Sequence, residues 1–324
     1  MSAESPPDLS IVIPVYGGGK TITRIVQDIV CQVNKESQIE IILVDDDSPD
    51  NAWQILRDLH GRYPRLVRAV RLMRNFGQHN AIMCGLRHAR GRYIVTMDDD
   101  GQHPPKEIER LVRSLEETGA DVVYGVPRRR EHAGWRNLGS AIVTAFYKTI
   151  FRTNVTPSAF RILRREMVAS ILAYDLNFTY LDGLLAWSTN RIASVEVEHL
   201  PRSEGQSGYS QAKLIHLALN VFTNFSYLPL QVVTVLGIIV AIVGLGMGAY
   251  YVFRYLTGAI TVPGYASIIV AVLVLGGLQM LALGIIGEYL GRVHLNINRK
   301  PQYVVRDMIE IEDDSTESRD DAAI

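Results

Sequence analysis

Three short apolar runs in the N-terminal part of the chain each end in a cluster of glycines or aspartates. Leu9-Ser10-Ile11-Val12-Ile13-Pro14-Val15-Tyr16 leads into Gly17-Gly18-Gly19. Ile39 to Val44, with Glu40 its only charge, leads into Asp45-Asp46-Asp47-Ser48-Pro49-Asp50. Tyr93-Ile94-Val95-Thr96-Met97 leads into Asp98-Asp99-Asp100, with Pro104-Pro105 beyond. Such runs, bounded by turn residues, read as buried strands. Leu66 to Leu72 and Val122-Val123-Tyr124 read the same way. Between them Ile22, Ile25, Val26, Ile29, Val30 and Val33 recur at helical spacing, and Trp53, Ile55, Leu56 and Leu59 do so less cleanly. Ala81 to Ala89 predicts another helix. Pro104-Pro105 suits a helix start before Ile108, Leu111, Val112 and Leu115. The alternation predicts an α/β fold with a mostly parallel sheet covered on both faces.

From Leu138 the pattern changes. Ala141-Ile142-Val143, Phe146-Tyr147 and Ile150-Phe151 predict an apolar helix, either in the core or on a membrane surface, with Lys148 and Arg152 at its end. Residues 161 to 200 return to mixed α/β character. Gln211 to Tyr227 is amphipathic. Gln231 to Phe253 and Leu256 to Gly287 then contain no charged residue, and each exceeds the ~20 residues that cross a bilayer. These stretches predict a transmembrane helical hairpin. Arg202 and Lys213 precede it, Arg292, Arg299, Lys300 and Arg306 follow it, and Arg254 is the only basic residue between the spans. The positive-inside rule then places the N-terminal domain and the C-terminus in the cytoplasm. The expected organisation is a catalytic domain over 1–205, a juxtamembrane segment over 206–228, two spans over 229–288 and a C-terminal segment over 289–324. The acidic end of that last segment, 310–324, reads as disordered.

Charge and cysteine content narrow the function classes. The net charge of the 324-residue chain is −1, which shows no polyanion-binding character and points away from nucleic acid. Cys31, on an apparent apolar helix face, and Cys84 are the only cysteines, too few and too separate for a disulfide framework or a zinc site. The first ten residues are polar and proline-bearing, unlike a signal peptide.

In open α/β sheets, ligands bind beyond the carboxyl ends of the strands. Two acidic ends and one glycine-rich end therefore predict one cleft. Asp98, Asp99 and Asp100 repel one another and need a counter-charge. A hard divalent cation, Mg²⁺ or Mn²⁺, is the simplest, and a solvated acidic loop is the alternative. If strand geometry continues, Asp98 and Asp100 point to the same side. The glycine run is neither a dinucleotide fingerprint nor a P-loop.

Taken in order, Ile13-Pro14-Val15-Tyr16, Val44-Asp45-Asp46-Asp47-Ser48-Pro49-Asp50 and Asp98-Asp99-Asp100-Gly101-Gln102-His103-Pro104-Pro105 resemble the nucleotide-sugar motifs of family 2 glycosyltransferases with the GT-A (Rossmann-like) fold. The likeness is to the membrane branch that glycosylates polyisoprenyl phosphates, which includes dolichol-phosphate mannose synthase and the GtrB-type and ArnC-like transferases. Arg74-Asn75-Phe76-Gly77-Gln78-His79-Asn80-Ala81-Ile82 is similar to the ArnC-like group. The resemblance covers roughly residues 8 to 305.

It implies an inverting, metal-dependent transfer of one sugar from a nucleotide-sugar donor to an undecaprenyl- or dolichyl-type phosphate at the cytoplasmic membrane face, for cell-envelope glycan or lipid modification. Asp98, Asp100 and Gln102 would hold the metal. Pro14, Tyr16, Asp45, Asp46 and Asp99 would hold the donor. A phosphate acceptor calls for arginines, whose planar fork binds phosphate bidentately. Arg128 (also the candidate to act in the transfer itself), Arg136 and Arg202 are the candidates, with Ser140 beside them. Association into a homo-oligomer is compatible with the branch.

Two departures stand out. Gly205-Gln206-Ser207-Gly208-Tyr209 lacks the lysine of the branch's Gly-x-Ser-Lys-Tyr. Ser158-Ala159-Phe160-Arg161 lacks the carboxylate that some relatives carry, and Asp182 is the nearby substitute. A different membrane acceptor, such as a diacylglycerol, or an inactive membrane scaffold are the alternatives. No Gln-x-x-Arg-Trp of the processive synthases is present.

Overall fold

The computed structural model describes residues 7–33, 38–128, 155–174, 179–200, 228–257, 265–298 and 300–311. The chain divides into two compact units, one built on a sheet and one on two long helices.

The sheet unit contains strands β1 (Leu9–Val15), β2 (Ile39–Asp45), β3 (Val67–Leu72), β4 (Tyr93–Thr96), β5 (Val122–Pro127), β6 (Arg161–Arg164), β7 (Ile192–Val197) and β8 (Val305–Ile309). Their spatial order is β7-β5-β6-β4-β1-β2-β3-β8. β1 pairs in parallel with both β2 and β4, β2 with β3, and β5 with β7. β6 and β8 run antiparallel to their neighbours. The result is the mostly parallel mixed sheet that the strand–helix alternation predicts. β1 is buried at every position, as a central strand covered on both faces must be. Pro14 survives there because the pairing of β1 with β4 ends at Val12↔Thr96. Val12 O accepts from Met97 N, so Pro14, two residues on, aims its missing N–H at that same side, past the last rung.

Helices α1 (Gly19–Gln32), α2 (Ala52–Arg62) and α4 (Ile108–Thr118) bury Ile22, Val26, Ile29, Leu56, Leu59, Leu111 and Leu115 against Ile11, Ile13, Ile41, Leu43 and Val95 on one face. Helix α3 (Gln78–His88) covers β1 and β2 on the other, and α5 (Arg165–Leu172) and α6 (Leu181–Ser188) pack together beyond it. α3 sits so close that a Cβ at Gly85 would lie 2.3 Å from a Val12 methyl. Cys84 is buried, but Cys31 is exposed, off the apolar face on which its spacing put it.

β8 is an element that the apolar pattern does not announce. It pairs with β3, Met73 N donates to Val304 O, Gln302 Nε2 donates to Tyr174 O, and buried Arg68 forms an ion pair with Glu310 at 2.8 Å. The expected helix around 141–152, the amphipathic stretch 211–227 and the acidic end 312–324 lie outside the described residues.

The helical unit holds α7 (Leu228–Leu256) and α8 (Tyr265–Ile297). Both are long and apolar enough to cross a membrane. Many of their described apolar side chains are exposed: Leu245 is 76% exposed and Met280 73%. A long helix apolar on all sides suits lipid rather than water. α8 continues past Glu288, where the uncharged stretch stops.

Candidate active site

A cleft of about 620 Å³ opens where β1, β2 and β4 end, and Pro14, Tyr16, Gly18, Lys20, Asp46, Asp50, Asn75, Gln78, Asp98, Asp99 and Asp100 are among its lining residues. The register explains the convergence. Val15 lies opposite Asp45, so the first turn after β1 meets the acidic turn after β2.

The three aspartates after β4 are held differently. β4 ends at Thr96 and Asp99-Asp100 lie in a turn, so strand alternation does not set their directions. All three line the cleft nonetheless. Asp98 Oδ1 accepts from Gln78 Nε2 at 2.6 Å. Asp99 Oδ2 accepts from Tyr16 N at 3.0 Å, and the Asp99 carbonyl accepts from Thr21 Oγ1. Burial raises the Asp99 carboxyl to about 6, against the opposing pull of the Tyr16 N–H. Asp100 Oδ1 accepts from Gln102 N at 3.1 Å, closing the turn at Gly101. The glycine run is explained here. A Cβ at Gly18 would stand 2.1 Å from Asp99 Oδ2, so the loop lies directly on that carboxylate.

Asp46 and Asp45 diverge. Asp46 lines the cleft, yet its two oxygens accept from Phe76 N at 2.7 Å and Gly77 N at 2.9 Å. Burial raises it to about 6. Asp45 is fully buried, accepts from Ser48 N and faces Arg71 at 3.4 Å. It is not among the cleft-lining residues and serves the turn. Gln102 is turned away too: its Nε2 reaches Leu200 O at 3.4 Å. Arg128 is exposed just past β5. Arg136, Ser140 and Arg202 lie outside the described residues.

Several neighbours are residues to which the sequence assigns no place in the cleft. Lys20 and Asn75 line the cleft. His103 stacks on Phe160 and meets His199 edge-on at 5.5 Å; burial pushes its pKa down to about 4. Asp182 is buried against Arg161, which is 2% exposed, and accepts from Tyr124 Oη at 2.9 Å. Burial works against the Arg161 charge, and Asp182 followed by Tyr124 outweighs it.

A divalent cation is consistent with this donor set. Among the described residues no group of three His, Cys, Asp or Glu side chains forms a ready cage. Asp98 and Asp100 nevertheless offer carboxylate oxygens in one cleft, and Mg²⁺ commonly binds through one or two carboxylates, with substrate phosphates and water supplying the rest.

Residues 10–170 match the model of Glycosyl transferase family 2. An uncharacterized glycosyltransferase of Synechocystis is 36% identical over 93% of this chain and 95% of its own length. The chain belongs to glycosyl transferase family 2. This family member is also similar, at 33% identity over 96% of this chain and 94% of the relative, to the undecaprenyl-phosphate 4-deoxy-4-formamido-L-arabinose transferase of Pseudomonas savastanoi. The same-named protein of Proteus mirabilis is 30% identical over 97% of each chain. Glucosyl-3-phosphoglycerate synthase from Mycobacterium tuberculosis, solved with Mn²⁺, UDP-glucose and phosphoglyceric acid, superposes with a TM-score of 0.50 at 20% identity, over 67% of this chain and 78% of that one. That likeness supports the GT-A fold. The transferase is thus a GT-A enzyme whose sheet unit flanks two long apolar helices in the chain.

Proposed function

We propose that this glycosyltransferase moves a single sugar, with inversion, from a nucleotide-sugar donor to a polyprenyl phosphate of the undecaprenyl or dolichyl type at the cytoplasmic membrane face. The observation that carries this reading is the full-length similarity to undecaprenyl-phosphate transferases, across both the cleft-bearing unit and the apolar helices. A soluble donor must meet a lipid that stays in the bilayer, and a sheet unit joined to two apolar helices answers that need.

Asp98 and Asp100 would hold Mg²⁺ or Mn²⁺, which supplies charge stabilisation for the departing nucleoside diphosphate. Pro14, Tyr16 and Asp46 would flank the nucleotide, with Asp99 keeping the glycine loop closed over it. Lys20 brings the one cation among the lining residues to a cleft rich in carboxylates. A phosphate monoester has its second pKa near ~6 and is mostly a dianion at neutral pH. It needs steering more than deprotonation. Arg128, with Arg136, Ser140 and Arg202, would supply that steering. The commitment of Asp182 to Arg161 and Tyr124 supports an attack without an enzymic base.

The sheet supports this topology. β1 to β7 precede the helices and β8 follows them, yet all belong to one sheet. A chain that leaves that unit and returns to it crosses the bilayer an even number of times. With the basic flanks, this supports two spans with both ends in the cytoplasm.

The test uses the detergent-solubilised protein with polyprenyl phosphate, Mn²⁺ or Mg²⁺ and a panel of labelled nucleotide sugars. Label extracted into the lipid phase identifies donor and acceptor together. Label that enters only diacylglycerol would favour the second acceptor class, to which Gly208 in place of the branch's lysine points. No transfer with any donor would overturn the proposal.

A further inference from the structure

The segment from Arg74 to Ile82 is tied to the cleft twice. Asp46, 2% exposed, receives Phe76 N on one oxygen and Gly77 N on the other. Gly77 stands at φ +90°, a conformation that side-chain-bearing residues rarely adopt. Its carbonyl accepts from Asn80 N and Ala81 N, so the turn clamped by Asp46 also begins α3. Asn80 Nδ2 closes back on Phe76 O at 2.9 Å. The next residue is Gln78, whose amide holds Asp98 Oδ1 at 2.6 Å. A continuous path of hydrogen bonds therefore runs from the end of β2 through the turn to the first aspartate after β4.

We propose that Asp46 and Gln78 are positioning residues for Asp98, so that Asp46 acts on the cation site through the turn it clamps. This rests on the reading that Asp98 holds the divalent cation. The residue types fit the task. A neutral amide fixes a carboxylate without cancelling its charge, whereas lysine or arginine at 78 would compete with the cation. A carboxylate at 46 can accept one peptide N–H on each of its two oxygens, which an asparagine amide cannot do because its nitrogen is a donor. Hydrogen bonds to metal-binding carboxylates are worth roughly 10–100-fold in metal affinity or activity.

The test titrates Mn²⁺ alone into the full-length protein in detergent, followed by electron paramagnetic resonance, with no donor or acceptor present. Gln78→Met, at an exposed position, should weaken Mn²⁺ binding at least about tenfold. Asp46→Asn should weaken it to a similar degree. The double variant should be no worse than the more affected single variant, because both act through one path. Hydrogen exchange separates the steps: Asp46→Asn should expose the Phe76 and Gly77 amides, and Gln78→Met should leave them protected. Unchanged Mn²⁺ binding in Gln78→Met, or effects that multiply in the double variant, would overturn the relay while leaving the cation reading intact. If Asp98→Asn binds Mn²⁺ as the unaltered protein does, the cation reading itself has failed and the relay with it.

Discussion

Replacing Asp182 by asparagine tests whether its carboxylate is a base or a counter-ion. The side chain lies at the start of α6, nearly buried, paired with Arg161 and accepting from Tyr124 Oη. Arg161 is 2% exposed, so Asp182→Asn leaves a guanidinium inside the protein without its partner charge. Removing one member of a buried pair costs about 3–5 kcal/mol. For a unit of this size, each kcal/mol moves the unfolding midpoint by roughly 2–4 °C, so the midpoint should fall by roughly 6–20 °C. Arg161→Met combined with Asp182→Asn removes both charges and should recover most of that loss. The assay is a thermal unfolding scan of the full-length protein in detergent, paired with a pH profile of sugar transfer below the midpoint of each variant. With the phosphate dianion as nucleophile, the acid limb should follow the acceptor's ionisation near ~6 in every variant. A single variant that unfolds like the unaltered protein would refute the counter-ion role. A double variant that is folded, binds donor and lipid, and transfers nothing would show that the carboxylate is a required base.

Gly18→Ala is a purely steric probe, since the backbone there (φ −94°, ψ 15°) accepts alanine while the new methyl meets Asp99 Oδ2 at 2.1 Å. Displacing Asp99 from Tyr16 N forfeits a charge-assisted bond worth about 1.5–3 kcal/mol, so donor Kd by calorimetry should rise at least about tenfold. An unchanged Kd would remove the loop from the donor site. Asp100→Asn should abolish transfer with the fold intact, and near-normal turnover would take Asp100 out of the site. In a Cys31→Ser background, which removes the exposed thiol, Thr261→Cys should react with an impermeant maleimide from the non-cytoplasmic side and Lys300→Cys from the cytoplasmic side; reaction of both from one side would sink the hairpin. Arg128→Ala should raise KM for polyprenyl phosphate about tenfold or more with donor binding little changed, as expected for a desolvated phosphate contact, whereas no change would make Arg128 an ordinary surface arginine.

What the sequence discloses about this site follows the range of the interactions involved. The runs Leu9 to Val15, Ile39 to Val44 and Tyr93 to Thr96 are buried on both faces, so burial writes each strand into local composition, and their polar ends mark the cleft. Asp98, Asp99, Asp100, Pro14, Tyr16 and Asp46 are therefore found from short windows of sequence. The direction of each side chain is not local. Asp45 and Asp46 are neighbours, yet one turns inward to Ser48 and Arg71 while the other reaches the peptide groups of Phe76 and Gly77, thirty residues away. Gln102 turns to Leu200 because the segment after β7 comes to lie beside it, with Leu200 N returning a bond to Gln102 O at 3.0 Å. The chain between those two residues includes β5, β6 and β7, and their pairing alone brings them together. β8 is the extreme case. Arg306 and Asp307 interrupt its apolar character because an edge strand exposes one face and one edge, so its membership in the sheet rests on backbone pairing with β3 and on Arg68 meeting Glu310. Charged edge positions also limit pairing with another chain. A strand specified by its partner rather than by its own periodicity lies beyond a reading of apolar pattern, and here that strand follows both long helices in the chain while belonging to the sheet.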